Sequence, residues 1–152
     1  MSQTKHYIFA IILLIVTTVF SQESISDDPE MVQNSIDYHI AESKKDVANY
    51  NYFEAQKKLD EALALAEKAD NKVSIGIVHA TKGKLQLLIE EEDEAIKSLN
   101  KAIEVQRLVD DNLNIGDSYK TFGDIYLKKK EYYAALDSFK AATTKFEEQN
   151  LE

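Results

Sequence analysis

The chain has no cysteine and no tryptophan, and only one proline and four glycines among its 152 residues. Without cysteine there is no disulfide, no thiolate nucleophile, no thiolate metal ligand and no cysteine-linked lipid anchor. With so few Pro and Gly residues, little interrupts a helix. Ala, Leu, Lys and Glu dominate instead, which points to an all-α fold long enough to bury a core. Basic residues are also in deficit: 18 Lys and Arg stand against 27 Asp and Glu, a formal net charge of −9. An acidic chain of this kind repels phosphate backbones, so nucleic acid is not an expected partner. Catalytic patterns are missing too. There is no Gly-rich phosphate loop, no nucleophile beside a base and no defensible carboxylate pair, so the reading is not an enzyme, with no cofactor and no metal.

Long hydrophobic runs are scarce. The exception is "YIFAIILLIVTTVF", Tyr7 to Phe20, preceded by Lys5 and followed by Ser21, with Val19 two places earlier. A charged start, a short apolar stretch and small residues at the end make a secretory leader, and the run is short for a span of about 20 residues. Residues 1–21 are therefore expected to be a signal peptide cleaved after Ser21, leaving an exported protein, periplasmic or secreted. The alternative is an N-terminally anchored chain, and membrane contact arises only through such an uncleaved leader. Residues 22–28 form a polar linker. Its end, "DDP", reads as a helix start, with Asp28 as N-cap and Pro29 in the first turn.

From there the chain repeats. A shift of 40 residues places Ile75-Gly76 on Ile115-Gly116, Thr81 on Thr121, Gly83 on Gly123, Ala95 on Ala135 and Ala102 on Ala142. One step earlier, Ala55, Leu59 and Ala62 fall on Ala95, Leu99 and Ala102. A fixed period in this range signals stacked repeats rather than a closed bundle. Within each repeat the apolar spacing is helical, broken by "NYN", "NK", "EEE", "DNL" and "KKE". The spacing predicts helices over 29–49, 52–70, 73–90, 93–110, 113–130 and 132–149. That makes three hairpins, each with a helix A and a helix B.

The third repeat carries Tyr119, Phe122-Gly123, Tyr126, Ala135, Phe139 and Ala142. This resembles the tetratricopeptide repeat (TPR): a large residue, Leu-Gly, an aromatic, then Ala, a large residue and Ala. The second repeat matches at His79, Gly83, Ala95, Leu99 and Ala102, but has Lys82 and Gln86 where apolar residues are usual. The first keeps Ala55, Leu59 and Ala62. The resemblance implies a right-handed α-solenoid of three TPR-like hairpins over 29–152, with repeats at about 36–72, 73–112 and 113–150. Here the period is 40 residues against about 34 in the common form, and the closing Pro is absent. That is similar to the long-helix TPR regions in the sensory parts of bacterial signalling proteins.

The same resemblance implies a non-catalytic interaction module that holds a peptide or protein segment along a concave face lined by the A helices. By register those positions are Asp37, Ile40, Lys44 and Val47, then Ile77, Ala80, Lys84 and Leu87, then Asp117, Lys120, Asp124 and Leu127. Lys44, Lys84 and Lys120 are the candidate anchors for a carboxylate. The alternative function is a sensory input segment of a membrane-associated signalling protein such as a histidine kinase or transcription regulator. Gly83 and Gly123, opposite Ala95 and Ala135, are expected to be points of close helix approach, with Tyr119, Phe122, Tyr126 and Phe139 around them. Helix B of the third repeat is expected to turn Leu136, Phe139, Thr143 and Phe146 inward, and its uncapped side would allow a homodimer. His39 and His79 stand one period apart, about 10 Å at helix-packing distance, and read as packing residues rather than a metal pair. "EEEDE" (90–94) and "KKK" (128–130) occupy equivalent turns, as do "YNYF" (50–53) and "YY" (132–133). The charges read as solvated loop residues and the aromatics as caps on the hairpins' own cores.

Overall fold

The computed structural model describes residues 28–149. The expected leader, its cleavage after Ser21 and the linker before Asp28 lie outside the described residues. The chain divides into two compact units, Met1–Asn34 and Ser35–Glu152. In the first, the described part is residues 28–34, where a helix begins. The Asp28 carboxylate accepts from the Glu30 N–H at 3.1 Å, and its carbonyl takes the Val32 N–H at 3.0 Å. With Pro29 opening the helix, this is a side-chain N-cap of the kind the sequence announces.

The second unit is all-α. Counting the helix that begins at Pro29, the elements are α1 (Pro29–Ala48), α2 (Tyr52–Lys68), α3 (Lys72–Leu88), α4 (Glu92–Arg107), α5 (Asn112–Lys128) and α6 (Tyr132–Gln149), with no strand among the described residues. Each predicted helix exists, with ends that differ by three residues at most. Packing is mainly between neighbours in sequence. α3 lies against α4 and α5 against α6, the turns between hairpins bring α2 onto α3 and α4 onto α5, and α3 also touches α5.

The connections explain why the helices are so alike in length. Tyr50, Asp70, Glu90, Asp110 and Lys130, twenty residues apart, all have positive φ, from 49° to 68°. None is glycine. Each ends a helix, and the next residue sends its N–H back five positions: Asn51 to Asp46, Asn71 to Ala66, Glu91 to Gln86, Asp111 to Gln106 and Glu131 to Tyr126, at 2.8–3.0 Å. This is the Schellman closure, which satisfies carbonyls that the helix end leaves free. The same next residue then starts the following helix, its carbonyl accepting from Ala55, Ile75, Ala95, Ile115 and Ala135 in turn. At Asn71 and Asp111 the side chain adds a cap, taking the N–H of Ser74 at 3.0 Å and of Asn114 at 3.2 Å.

The repeated small residues are the core. Ala55, Leu59, Ala62, Ala95, Leu99, Ala102, Ala135 and Ala142 are all buried, and Gly83 and Gly123 are buried with them. Phe122 is buried, while Tyr119, Tyr126 and Phe139 are half-buried. Leu99, Ile103, Ile115, Phe122 and Ile125 form one cluster between the second and third hairpins, with the Phe122 and Tyr126 rings stacked at 6.2 Å. The glycines mark close approach, but chiefly to larger residues than the alanines expected. A Cβ on Gly83 would come within 2.8 Å of Leu99 Cγ, with the Ala95 carbonyl oxygen at 3.3 Å. At Gly123 the nearest atoms are all in the Phe139 ring. Gly76 and Gly116 do the same one turn-pair earlier, against Gln106 and Phe146, which are themselves 40 positions apart.

The polar residues in apolar slots have partners. Lys82 reaches back to Asp60 on α2 at 2.6 Å, and the Gln86 side chain lies 2.6 Å from the Ser98 hydroxyl. Gln106 is wholly buried; its amide donates to the Gly76 carbonyl at 3.4 Å and accepts from Ser118 Oγ at 3.2 Å. On α6 the expected inward set is only partly right. Phe139 and Phe146 pack on α5, but Leu136 is 50% exposed and Thr143 is exposed. The outer stripe of α6 is largely polar, with Asp137, Lys140, Thr144 and Glu147. A helix that turns mostly polar side chains outward covers its own hairpin.

Candidate functional site

α1, α3 and α5 are the first helices of successive hairpins. Between them is a cavity of about 420 Å³. Its apolar lining is Val47 from α1, Ile77, Ala80, Leu85 and Leu88 from α3, and Leu59 from α2. Its polar lining is Ser43 and Lys44 from α1, Thr81 and Lys84 from α3, and Asn114 and Asp117 from α5.

Six of the twelve positions picked out by register therefore meet here: Lys44, Val47, Ile77, Ala80, Lys84 and Asp117. The others do not line the cavity. Ile40 is buried in the core, Leu87 packs against the central cluster, and Asp37, Lys120, Asp124 and Leu127 lie elsewhere on the A helices. Residues absent from the register reading include Ser43, Leu88 and Asn114. Ser43 is buried and spends its hydroxyl on the Ile40 carbonyl at 2.7 Å, so it shapes the wall more than it offers a donor. Leu88 is 51% exposed, an apolar side chain left in water at the rim. Asn114 is held by Asp111, its amide donating to the carboxylate at 2.7 Å.

The charges at the rim are two cations and one anion. Lys84 Nζ is 3.8 Å from Asp117 Oδ2, bridging α3 and α5. Lys44 is exposed and has no ion pair among the described residues. Neither lysine is buried, so both ammonium groups remain hydrated and reachable by an incoming anion.

Charge also holds the hairpins to each other away from the cavity. Lys128 reaches Glu92 at 3.1 Å and Glu90 at 3.5 Å, and Lys129 reaches Asp93 at 3.6 Å. The acidic and basic turns thus meet, where the sequence alone favours solvated loops. The Glu92 carboxyl is held below its ordinary range, first by its own backbone N–H and then by Lys128, whose ammonium is pushed up by the same contact. The aromatics at the corresponding turns are open instead: Phe53 is 80% exposed and Tyr133 88%.

His39 and His79 are half-buried at equivalent places on α1 and α3. His39 Nδ1 stands 3.1 Å from Glu61 Oε2, out of line for a hydrogen bond, while Lys58 takes that oxygen at 3.1 Å. Burial lowers the pKa of His79, and the nearby Lys101 and Lys82 lower it further. Among the described residues no group of three or more His, Asp or Glu is placed to hold a metal ion. Nor is any helix among them long and apolar enough to cross a membrane. Comparisons with family models, with curated proteins and with solved structures find no match to this chain, so its fold and its cavity stand on their own residues.

Proposed function

We propose that this chain is a three-hairpin TPR-type α-solenoid, exported and non-catalytic, that binds a peptide or protein segment in the groove along α1, α3 and α5. The observation that carries the reading is the cavity itself, about 420 Å³ and lined by A-helix side chains from all three hairpins. Its volume is in the range of compact ligand sites, and its make-up of apolar wall with a few polar groups suits a side chain entering from an extended or helical segment. The 40-residue register, the identical turns and the contact between α3 and α5 support stacking of like hairpins. Preorganisation supplies the mechanism. The helices fix the wall before binding, so little ordering entropy is lost on the protein side. Export rests on Lys5, the apolar run from Tyr7 to Phe20 and the small Ser21.

Two measurements test this. Panning a random dodecapeptide display library on the full-length chain should enrich binders, and Lys44→Glu with Lys84→Glu should weaken them. A library that enriches nothing, or binders indifferent to both substitutions, would overturn the groove. For export, the intact mass of the native protein in its source cells should be that of a chain lacking the 21-residue leader, in the soluble fraction. A full-length, membrane-bound species would replace export with anchoring.

A further inference from the structure

Among the described residues, the side chains that make the cavity differ from their register mates, and they name what fits. Ile77 has Asp37 and Asp117 as its register mates in the other hairpins, Ala80 has Ile40 and Lys120, and Leu88 has Ala48 and Lys128. The described A helices therefore present an apolar stretch on α3, with charged residues at the corresponding places on α5. Ala80 matters most. It is buried at the cavity wall and is smaller than both its register mates, so the space beside it is room that an isoleucine or lysine would take.

Charge complementarity sets the rest of the ligand. Two lysines and one aspartate line the cavity, leaving an excess of one positive charge in a chain whose net charge is −9. Lys44 has no ion pair among the described residues, and Lys84 is held by Asp117 at 3.8 Å, while Lys82 holds Asp60 at 2.6 Å and Lys128 holds Glu92 at 3.1 Å. A ligand carboxylate can replace Asp117 at Lys84 without breaking a well-formed hydrogen bond.

We infer that this junction between α1 and α3 is the specificity pocket of the groove: it takes one large or two small apolar side chains of a bound peptide, with an Asp, Glu or terminal carboxylate within about three residues paired to Lys44 and Lys84. The inference rests on the groove reading above and narrows it. Burial of the apolar side chain supplies affinity, and the lysines select its acidic neighbour over a basic one.

The same dodecapeptide library, panned on the full-length chain, tests it when the selected peptides are then titrated against variants. Expected are Leu, Ile, Val or Phe enriched beside an acidic residue, and affinity reduced about tenfold or more by Ala80→Leu, which fills the cavity. Val47→Phe fills it from the opposite wall and should do the same, so a folding defect in one variant does not decide the outcome. Lys44→Glu with Lys84→Glu should reverse the preference toward basic peptides. Binders of other composition that lose affinity on lysine reversal but not on cavity filling would overturn the pocket and leave the groove standing. A library that yields no binder would overturn both.

Discussion

A Cβ at Gly123 would stand 2.4 Å from Cε1 of Phe139, closer than carbon atoms pack. The glycine on α5 and the ring on α6 are thus two halves of one contact, and a side chain at Gly123 needs the ring to move. The propensity loss of about 1 kcal/mol for an interior glycine is offset by the ring that fits over it.

Gly123→Leu should therefore destabilise the fold by about 1–3 kcal/mol through overpacking. Urea or thermal denaturation measures it. Pairing the change with Phe139→Ala should recover part of the loss, since the smaller partner makes room. An unchanged midpoint in the single variant would refute the contact.

The turns offer a gain instead. Lys130 holds φ at 61°, a conformation that costs a non-glycine residue about 1–2 kcal/mol. Glycine adopts it freely but loses more entropy on folding. Lys130→Gly should stabilise by about 0.5–1 kcal/mol net. Asp70→Gly should gain less, because Asp tolerates this conformation better. The comparison of the two midpoints is the measurement.

The charged junction between the second and third hairpins should be visible as salt dependence. Lys128→Glu should lower the melting temperature at low ionic strength, and Glu92→Lys in the same chain should restore most of it. High salt should shrink the difference, because these groups are open to solvent. On acidification, the junction's share of stability is present above the ordinary carboxylate range and fades as the pH falls through the lowered value of Glu92.

His79 acts in the opposite part of the titration range. Its pKa is lowered, chiefly by burial, so the folded state binds its proton less readily than the unfolded chain does. Its contribution is full at pH values above 6.5 and is lost as the pH falls below that value toward the lowered pKa. Melting temperatures at pH ~7.5 and ~5.5 should differ more for the native chain than for His79→Gln. Equal differences would show that burial at this site carries no proton linkage.

Much of this was open to reading from residues. Periodicity located every described helix, because Ala55, Ala95 and Ala135 and their partners repeat where the helices touch. The cavity was half legible. Register puts Lys44 and Lys84, and Ile77 and Asp117, on one side, but it treats all repeats as equal. The cavity is lined by one that is unequal, with the small Ala80 where the others have Ile40 and Lys120. The positive-φ turns were hidden altogether. Tyr50, Glu90 and Lys130 carry no local preference for that conformation; the closure of the preceding helix imposes it. The junction charges were visible as runs, but only the approach of α5 to the turn before α4 decides that they pair.

The uniform turns have a consequence for how such a chain changes length. A cut after Asp70 and a cut after Asp110 fall at the same point of the same turn, each followed by a residue whose side chain caps the next helix. Residues 71–110 are thus a cassette with matching ends. Copied in tandem or excised, it leaves every joint with the chemistry it had before. A gene coding for this chain can grow or shrink in steps of one hairpin without inventing a new connection.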